Sequence, residues 1–123
     1  MENHKLVRPE NLNHYGYLFG GDLLKWVDEY AWIAATLDYP GCNFATVGMD
    51  KVEFRRSVRE GTILRFVVER TREGNTSVQY SVTVVRGQPK GGDNDVIFST
   101  HVSFVNMGYD GCKKLLPGKG PAV

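Results

Sequence analysis

Apolar side chains recur between residues 21 and 38 at the 3.6-residue period, and the pattern predicts one long helix. At about 100° per residue, Leu24, Asp28, Ala31 and Ala35 share one side of the cylinder, and Asp22, Lys25, Glu29 and Thr36 share another. Asp28 therefore falls within the apolar stripe and is expected against the core, while Glu29 is expected to face water. Asp22 in the first turn complements the positive end of the helix dipole, and Pro40 with Gly41 ends the element. The interior alanines Ala31, Ala34 and Ala35 predict a helix wrapped closely by other structure.

Period-two alternation follows, and it predicts strands at about 44–58, 62–71, 76–86 and 96–106, with room for a short strand before the helix. In the first of these, Ala45, Val47 and Met49 give way to Val52 and Phe54, a change of phase near Asp50 that marks a bulge or sharp bend. Gly74 and Asn75 signal a hairpin into Val78, Tyr80, Val82 and Val84, which alternate with Ser77, Gln79, Ser81 and Thr83 to give one dry face and one wet. Residues 87–95 are polar and glycine-rich and predict a loop, and the tail after Gly108 has no period. The chain thus reads as one α+β domain over residues 1–123, a helix followed by a four-strand meander, with an antiparallel sheet wrapped around one long central helix. Such a sheet has two edges and covers only part of the helix, so a homodimer at least is expected, with a tetramer or hexamer equally open.

Composition narrows the function classes. Fifteen Lys plus Arg balance fourteen Asp plus Glu, which argues against a dominant basic face and a nucleic-acid partner. Cys42 and Cys112 lack CxxC or Cys/His spacing and predict reduced thiols, with neither a disulfide framework nor a zinc site. No run approaches a membrane span and the polar start lacks the apolar block of a secretion signal, so no membrane partner and a cytoplasmic location are expected. His4, His14 and His101 are scattered and imply no chemistry by themselves.

Candidate chemistry gathers where the helix begins. Residues 13–21 carry Gly16, Gly20 and Gly21 among aromatic side chains, and glycines at a helix start let a ligand carbonyl approach unpaired N–H groups. Such a cradle holds an oxyanion, and Asp28 further along the helix is the acid placed to act as general base on water or to attack directly. Burial beside Leu24, Ala31 and Ala35 disfavours a bare carboxylate unless donors such as the Asn13 amide offset it. Taken singly, Asp28 reads equally as a buried acid satisfied by backbone or arginine, Asn13 as a turn residue, and Gly20 with Gly21 as a tight turn. The set carries the argument.

Asn13, Gly16, Gly20 with Gly21, and Asp28 seven residues past the second glycine form a pattern that resembles the hotdog-fold acyl-CoA thioesterases, most closely the branch hydrolysing a broad range of acyl-CoAs. Thr46-Val47, Val52-Glu53-Phe54, Gly74 to Val78 and Ser103-Phe104-Val105 extend the likeness over residues 13–105. The resemblance implies a hotdog fold and hydrolysis of acyl-CoA to free acid and CoA, with Asp28 as base or nucleophile and the Gly20 and Gly21 amides polarising the carbonyl. It also implies that Asn13 positions the water or the carbonyl, and that Asn13 and Asp28 of one site come from different subunits. Coenzyme A belongs to the substrate, so no separate cofactor and no metal are expected. Its phosphates require a basic cluster, for which Arg55 and Arg56, followed by Arg59, are available, and Thr76 and Ser77 are placed to touch the pantetheine. Two features depart from the family: Asp22, where an uncharged residue is usual, and the polar insertion at 87–95. Competing readings are a non-catalytic acyl-CoA-binding regulatory module, against which Asp28 argues, and an aromatic acyl-CoA thioesterase, which usually has Asp where Asn13 stands. A hotdog dehydratase needs a His paired with an acid, and the setting of His14 does not resemble that motif.

Overall fold

A computed structural model describes residues 1–87 and 95–119. Strand β1 (Glu2–Leu6) and a 3-10 turn (Pro9–Asn11) precede helix α1 (Gly20–Asp38), and β2 (Phe44–Phe54), β3 (Ile63–Glu73), β4 (Ser77–Arg86) and β5 (Val96–Asn106) follow it. The five strands form one antiparallel sheet in the order β1-β3-β4-β5-β2. The expected four-strand meander is therefore corrected: only β3, β4 and β5 run consecutively. Strand β2 pairs with β5 at one edge, from Phe44 opposite Asn106 to Phe54 opposite Phe98, because the helix carries the chain across the sheet before β2 begins. Strand β1 closes the opposite edge on β3, its polar sequence having the exposed pattern of an edge strand.

The phase change near Asp50 is a real irregularity. The β2–β5 register shifts between Thr46 and Gly48 and again between Asp50 and Glu53, and Lys51 sits in the left-handed region at φ 50°. Strand β2 stops at Phe54, short of the expected residue 58, because the Arg55 and Arg56 N–H groups both turn onto the Ile97 carbonyl and the regular ladder ends.

The core lies between the helix and the inner sheet face. Leu23, Trp26, Val27, Ala31, Ala34 and Ala35 are buried against a cluster that includes Leu64, Phe66, Val82, Val84, Phe98, Val102 and Phe104. Alanine at three of these positions lets the sheet approach the helix closely, so a larger side chain there would overpack the interface at a cost of about 1–3 kcal/mol. The aperiodic tail is not loose. Leu116 is 1% exposed, its N–H donates to the Asn75 carbonyl, and buried Asn106 accepts the Asn43 N–H while donating to the Leu115 carbonyl. Most of the predicted 87–95 loop, residues 88–94, lies outside the described residues.

Candidate active site

Helix α1 starts without a side-chain cap. Phe19 occupies the capping position, and its carbonyl accepts the Asp22 and Leu23 N–H groups at 3.1 and 3.2 Å. The Gly20 and Gly21 N–H groups have no partner among the described residues, so two donors at the positive end of the helix stay open. The preceding loop is held by Asn13, whose Oδ1 accepts the Tyr15 and Tyr17 N–H groups at 2.9 and 3.1 Å, while Gly16 takes a left-handed φ of 85°. Within one chain, then, Asn13 is a turn organiser and makes no hydrogen bond to Asp28.

Aromatic rings flank the open amides. A Cβ on Gly20 would stand 3.4 Å from the Phe54 ring, an ordinary contact, whereas one on Gly21 would stand 2.6 Å from the exposed Phe19 ring, which would have to shift. Beside Gly20 opens a cleft of about 200 Å³ whose walls include Leu18, Leu23, Phe54, Arg55 and Arg56. Asp22, the acid that departs from the family pattern, accepts a hydrogen bond from the Asn11 side-chain amide at 3.3 Å.

Asp28 is half-buried, with Ala31 and Ala35 buried beside it and Glu29 exposed, as the helical wheel predicts. Its Oδ1 accepts a hydrogen bond from the Thr46 hydroxyl at 2.7 Å, across the gap between α1 and β2. Among the described residues no arginine or lysine forms an ion pair with it. The expected Asn13 amide is thus replaced, within the chain, by a strand hydroxyl. Thr46 was visible in the sequence only as part of the Thr46-Val47 pair; nothing in its local pattern says that it faces the helix. Eight residues along an α-helix span about 12 Å, so Asp28 and the Gly20 amide of one chain stand too far apart to act on one carbonyl.

The basic residues are engaged. Arg55 pairs with Glu53 through two nitrogens at 2.9 and 3.2 Å. Arg56 places Nε 3.0 Å from Asp95 Oδ1, and Arg86 donates from Nε to Asp95 Oδ2 at 2.7 Å. The Arg86 hydrogen bond is the main reason that the Asp95 carboxyl is held below its usual range, against partial desolvation and with Arg56 adding to the effect. Arg59 donates to the Tyr17 hydroxyl at 2.9 Å and lies over that ring. Thr76 and Ser77 belong to the β3–β4 hairpin, where Thr76 accepts the Asn106 N–H through its carbonyl and Ser77 lines a separate cavity of about 320 Å³ with Arg72 and Ser103. Within one chain the structure does not bring them to the Gly20 cleft, since the hairpin packs beside the far end of the helix. His101 Nδ1 stands 3.9 Å from Asp50, beyond hydrogen-bond reach.

That far end is polar and paired. The Tyr80 hydroxyl donates to Asp38 at 2.6 Å, and burial pushes its ionisation far above the ordinary phenol range, with Asp38 adding to the effect. The Tyr39 hydroxyl donates to Glu73 at 2.7 Å and accepts from Arg70 at 3.0 Å, while Lys119 stands 3.4 Å from the same Glu73. The Tyr39 hydrogen bond holds the Glu73 carboxyl below its usual range. Among the described residues no group of three or more His, Cys, Asp or Glu side chains converges as a metal site, and no helix is long and apolar enough to cross a membrane.

Known proteins resemble this chain in sequence and in fold. Residues 15–92 match the family described as the thioesterase superfamily. Mouse acyl-coenzyme A thioesterase 11 is 33% identical over 81 residues, which is 66% of this chain but 14% of that protein's length. A Buchnera aphidicola protein named an uncharacterized acyl-CoA thioester hydrolase is 32% identical over 79 residues, 64% of this chain and 58% of its own. Among solved structures, the Staphylococcus aureus acyl-CoA hydrolase in complex with butyryl-CoA, CoA and CoA disulfide superposes with a TM-score of 0.85 at 27% identity, covering 96% of this chain and 71% of that one. A hexameric hotdog-fold thioesterase of Campylobacter jejuni gives a TM-score of 0.79 at 30% identity, covering 93% and 87%.

Proposed function

The chain belongs to the thioesterase superfamily and has the hotdog fold of its structural relatives, and from this membership we propose that it hydrolyses acyl-CoA thioesters to a carboxylic acid and CoA. One observation carries the reading: a half-buried carboxylate, Asp28, that accepts from Thr46 and pairs with no cation among the described residues, on a helix whose Gly20 and Gly21 N–H groups are open and whose Gly20 borders an arginine-rimmed cleft. The two amides receive the thioester oxygen as it gains negative charge. Asp28 takes a proton from water that attacks the carbonyl carbon, or its carboxylate attacks and the resulting anhydride is hydrolysed; either way the carbon–sulfur bond breaks and the thiol leaves as CoA.

The separation of about 12 Å along the helix means that a working site combines the glycine cradle of one copy with Asp28 of a second. Pairing is supported by β2, an edge strand that leaves Val47, Val52 and Phe54 exposed, and by the hexameric state of the Campylobacter relative. The Staphylococcus hydrolase has been solved with an asparagine and an aspartate replaced by alanine, and those positions lie fifteen residues apart, the spacing of Asn13 and Asp28. Arg55 and Arg56 then face the CoA phosphates, and Thr76 and Ser77 meet substrate only across an interface between copies. The free thiols Cys42 and Cys112 fit a reducing, cytoplasmic setting.

Thiol release from acyl-CoAs of graded chain length tests the activity, and mixing variants tests the shared site. Asn13→Ala and Asp28→Asn each lose turnover alone. Refolded together, they are expected to regain roughly a quarter of the wild-type rate, because half the random dimers hold one intact site of two. Wild-type protein that releases no thiol from any acyl-CoA overturns the reading, and failure of the mixture to recover overturns the two-copy site.

A further inference from the structure

Trp32 sits one turn beyond Asp28 on α1, and it is 41% exposed. Its ring is nevertheless held in place, because Nε1 donates to the Phe44 carbonyl at 3.2 Å. Asp28 makes the matching contact two residues along β2, where its Oδ1 accepts from the Thr46 hydroxyl at 2.7 Å. Four helical residues rise about 6 Å and two strand residues about 6.6 Å, so the two hydrogen bonds keep step and α1 runs antiparallel to β2 along one seam. Carboxylate and indole therefore border the same seam, about one helical turn apart.

The seam differs on the two sides of Asp28. Toward the helix start, Leu24 lies one turn back and Met49 of β2 pairs with buried Val102; both are half-buried and packed against the core. Toward the helix end, the indole projects beyond the core. The one hydrogen-bonding group of that side chain is its ring N–H, which is engaged with Phe44, so the exposed part presents carbon alone. Asp28 pairs with no cation among the described residues, and the face of an indole is itself electron-rich. Such a surrounding favours an uncharged hydrocarbon over an acyl group that ends in a second carboxylate.

We infer that Trp32 is a specificity-determining residue: its ring ends the acyl pocket about one turn from Asp28, so the protein favours short, uncharged acyl groups. The inference deepens the acyl-CoA reading and rests on it. An extended chain covers about 6 Å in roughly four or five carbon–carbon bonds, so a longer acyl group whose carbonyl stands at Asp28 must displace the ring and break its hydrogen bond to Phe44. Trp32 meets the tail of the acyl group and not its carbonyl, so variants at this position redistribute kcat/KM among chain lengths.

Thiol release by the full chain from butanoyl-, octanoyl- and hexadecanoyl-CoA tests this. The wild type is expected to show the highest kcat/KM with butanoyl-CoA, and Trp32→Ala to raise the ratio of hexadecanoyl to butanoyl kcat/KM by about tenfold or more, the discrimination that a methylene or two carries in an apolar pocket. Trp32→Phe, which keeps a ring but loses the bond to Phe44, is expected to shift the profile in the same direction by less. Succinyl-CoA, four carbons long with a second carboxylate, is expected to be hydrolysed about tenfold or more slowly than butanoyl-CoA, and equal rates overturn the preference for uncharged chains. Thermal melting and sedimentation of each variant report folding and assembly; where Trp32→Ala fails to fold, Trp32→Phe and Trp32→Leu take its place. A folded variant with an unchanged chain-length profile overturns the inference, and one that also loses assembly shows that the ring serves only contact between copies. Wild-type protein that hydrolyses all three chain lengths equally overturns the wall and leaves the acyl-CoA reading standing, whereas release from none ends both.

Discussion

At its C-terminal end α1 is surrounded by matched polar groups, Tyr80 on Asp38 and Tyr39 between Glu73 and Arg70, whereas its start has no side-chain cap, the Gly20 and Gly21 amides have no partner among the described residues, and Gly20 borders a cleft. A capping side chain would add about 1 kcal/mol to the helix, so the open start forgoes stability that the paired end retains. The difference separates two jobs along one cylinder. Hydroxyl and carboxylate groups at the far end, with the tail strapped over the Asn75 hairpin, hold the fold. In the proposed reading, the bare donors at the near end are left for a ligand oxygen to complete.

Crowding the open end should break the comparison most sharply. Gly20→Val places methyl groups against the Phe54 ring at the cradle, and kcat/KM for acyl-CoA is expected to fall by about 10²–10³-fold with little change in melting temperature. Steady-state thiol release and a thermal melt on the same sample check both halves. Damage to the paired end should show the converse. Leu116→Ala empties a fully buried site under the tail and is expected to cost about 2–4 kcal/mol in denaturant unfolding, with the rate per folded molecule retained.

Tyr80→Phe is the mildest of the three, expected at about 1 kcal/mol because exposed Asp38 regains water in place of the phenol. Its pH signature sharpens the contrast. The folded chain holds Tyr80 protonated beyond its ordinary range, so that contribution is complete below about pH 10 and is lost as pH rises above it. Glu73 and Asp95 are shifted the other way, so their contributions are present above the ordinary carboxylate range and disappear as pH falls through it. Melting across pH should therefore show Tyr80→Phe with a shallower alkaline limb and an unaltered acid limb.

How much of this was legible in the chain depended on whether the signal was local. The helix, the two-faced β4 strand and the contrast between Asp28 and Glu29 follow from periodicity, which is a property of neighbouring residues. The place of β2 beside β5 does not, because pairing partners are chosen by the whole fold; the short strand expected before the helix is β1, but its polar residues Glu2 to Leu6 do not announce their pairing with β3. The site divides in the same way. Gly20, Gly21 and Asp28 stand out by their position on the helix, but Thr46 becomes a partner of Asp28 only when β2 is laid along it. Arg86 and Asp95 join Arg56 only through strand ends remote in sequence, and the Leu116 strap has no period to announce it.

Asp28→Asn goes to the central claim most directly, since the amide keeps an oxygen for the Thr46 hydroxyl and removes only the charge and the basicity. Thiol release from acyl-CoA at neutral pH is predicted to fall by about 10²–10⁴-fold while the melting temperature stays near that of the wild type. A variant that folds normally and hydrolyses acyl-CoA at a rate close to wild type would contradict a role for this carboxylate in the chemistry.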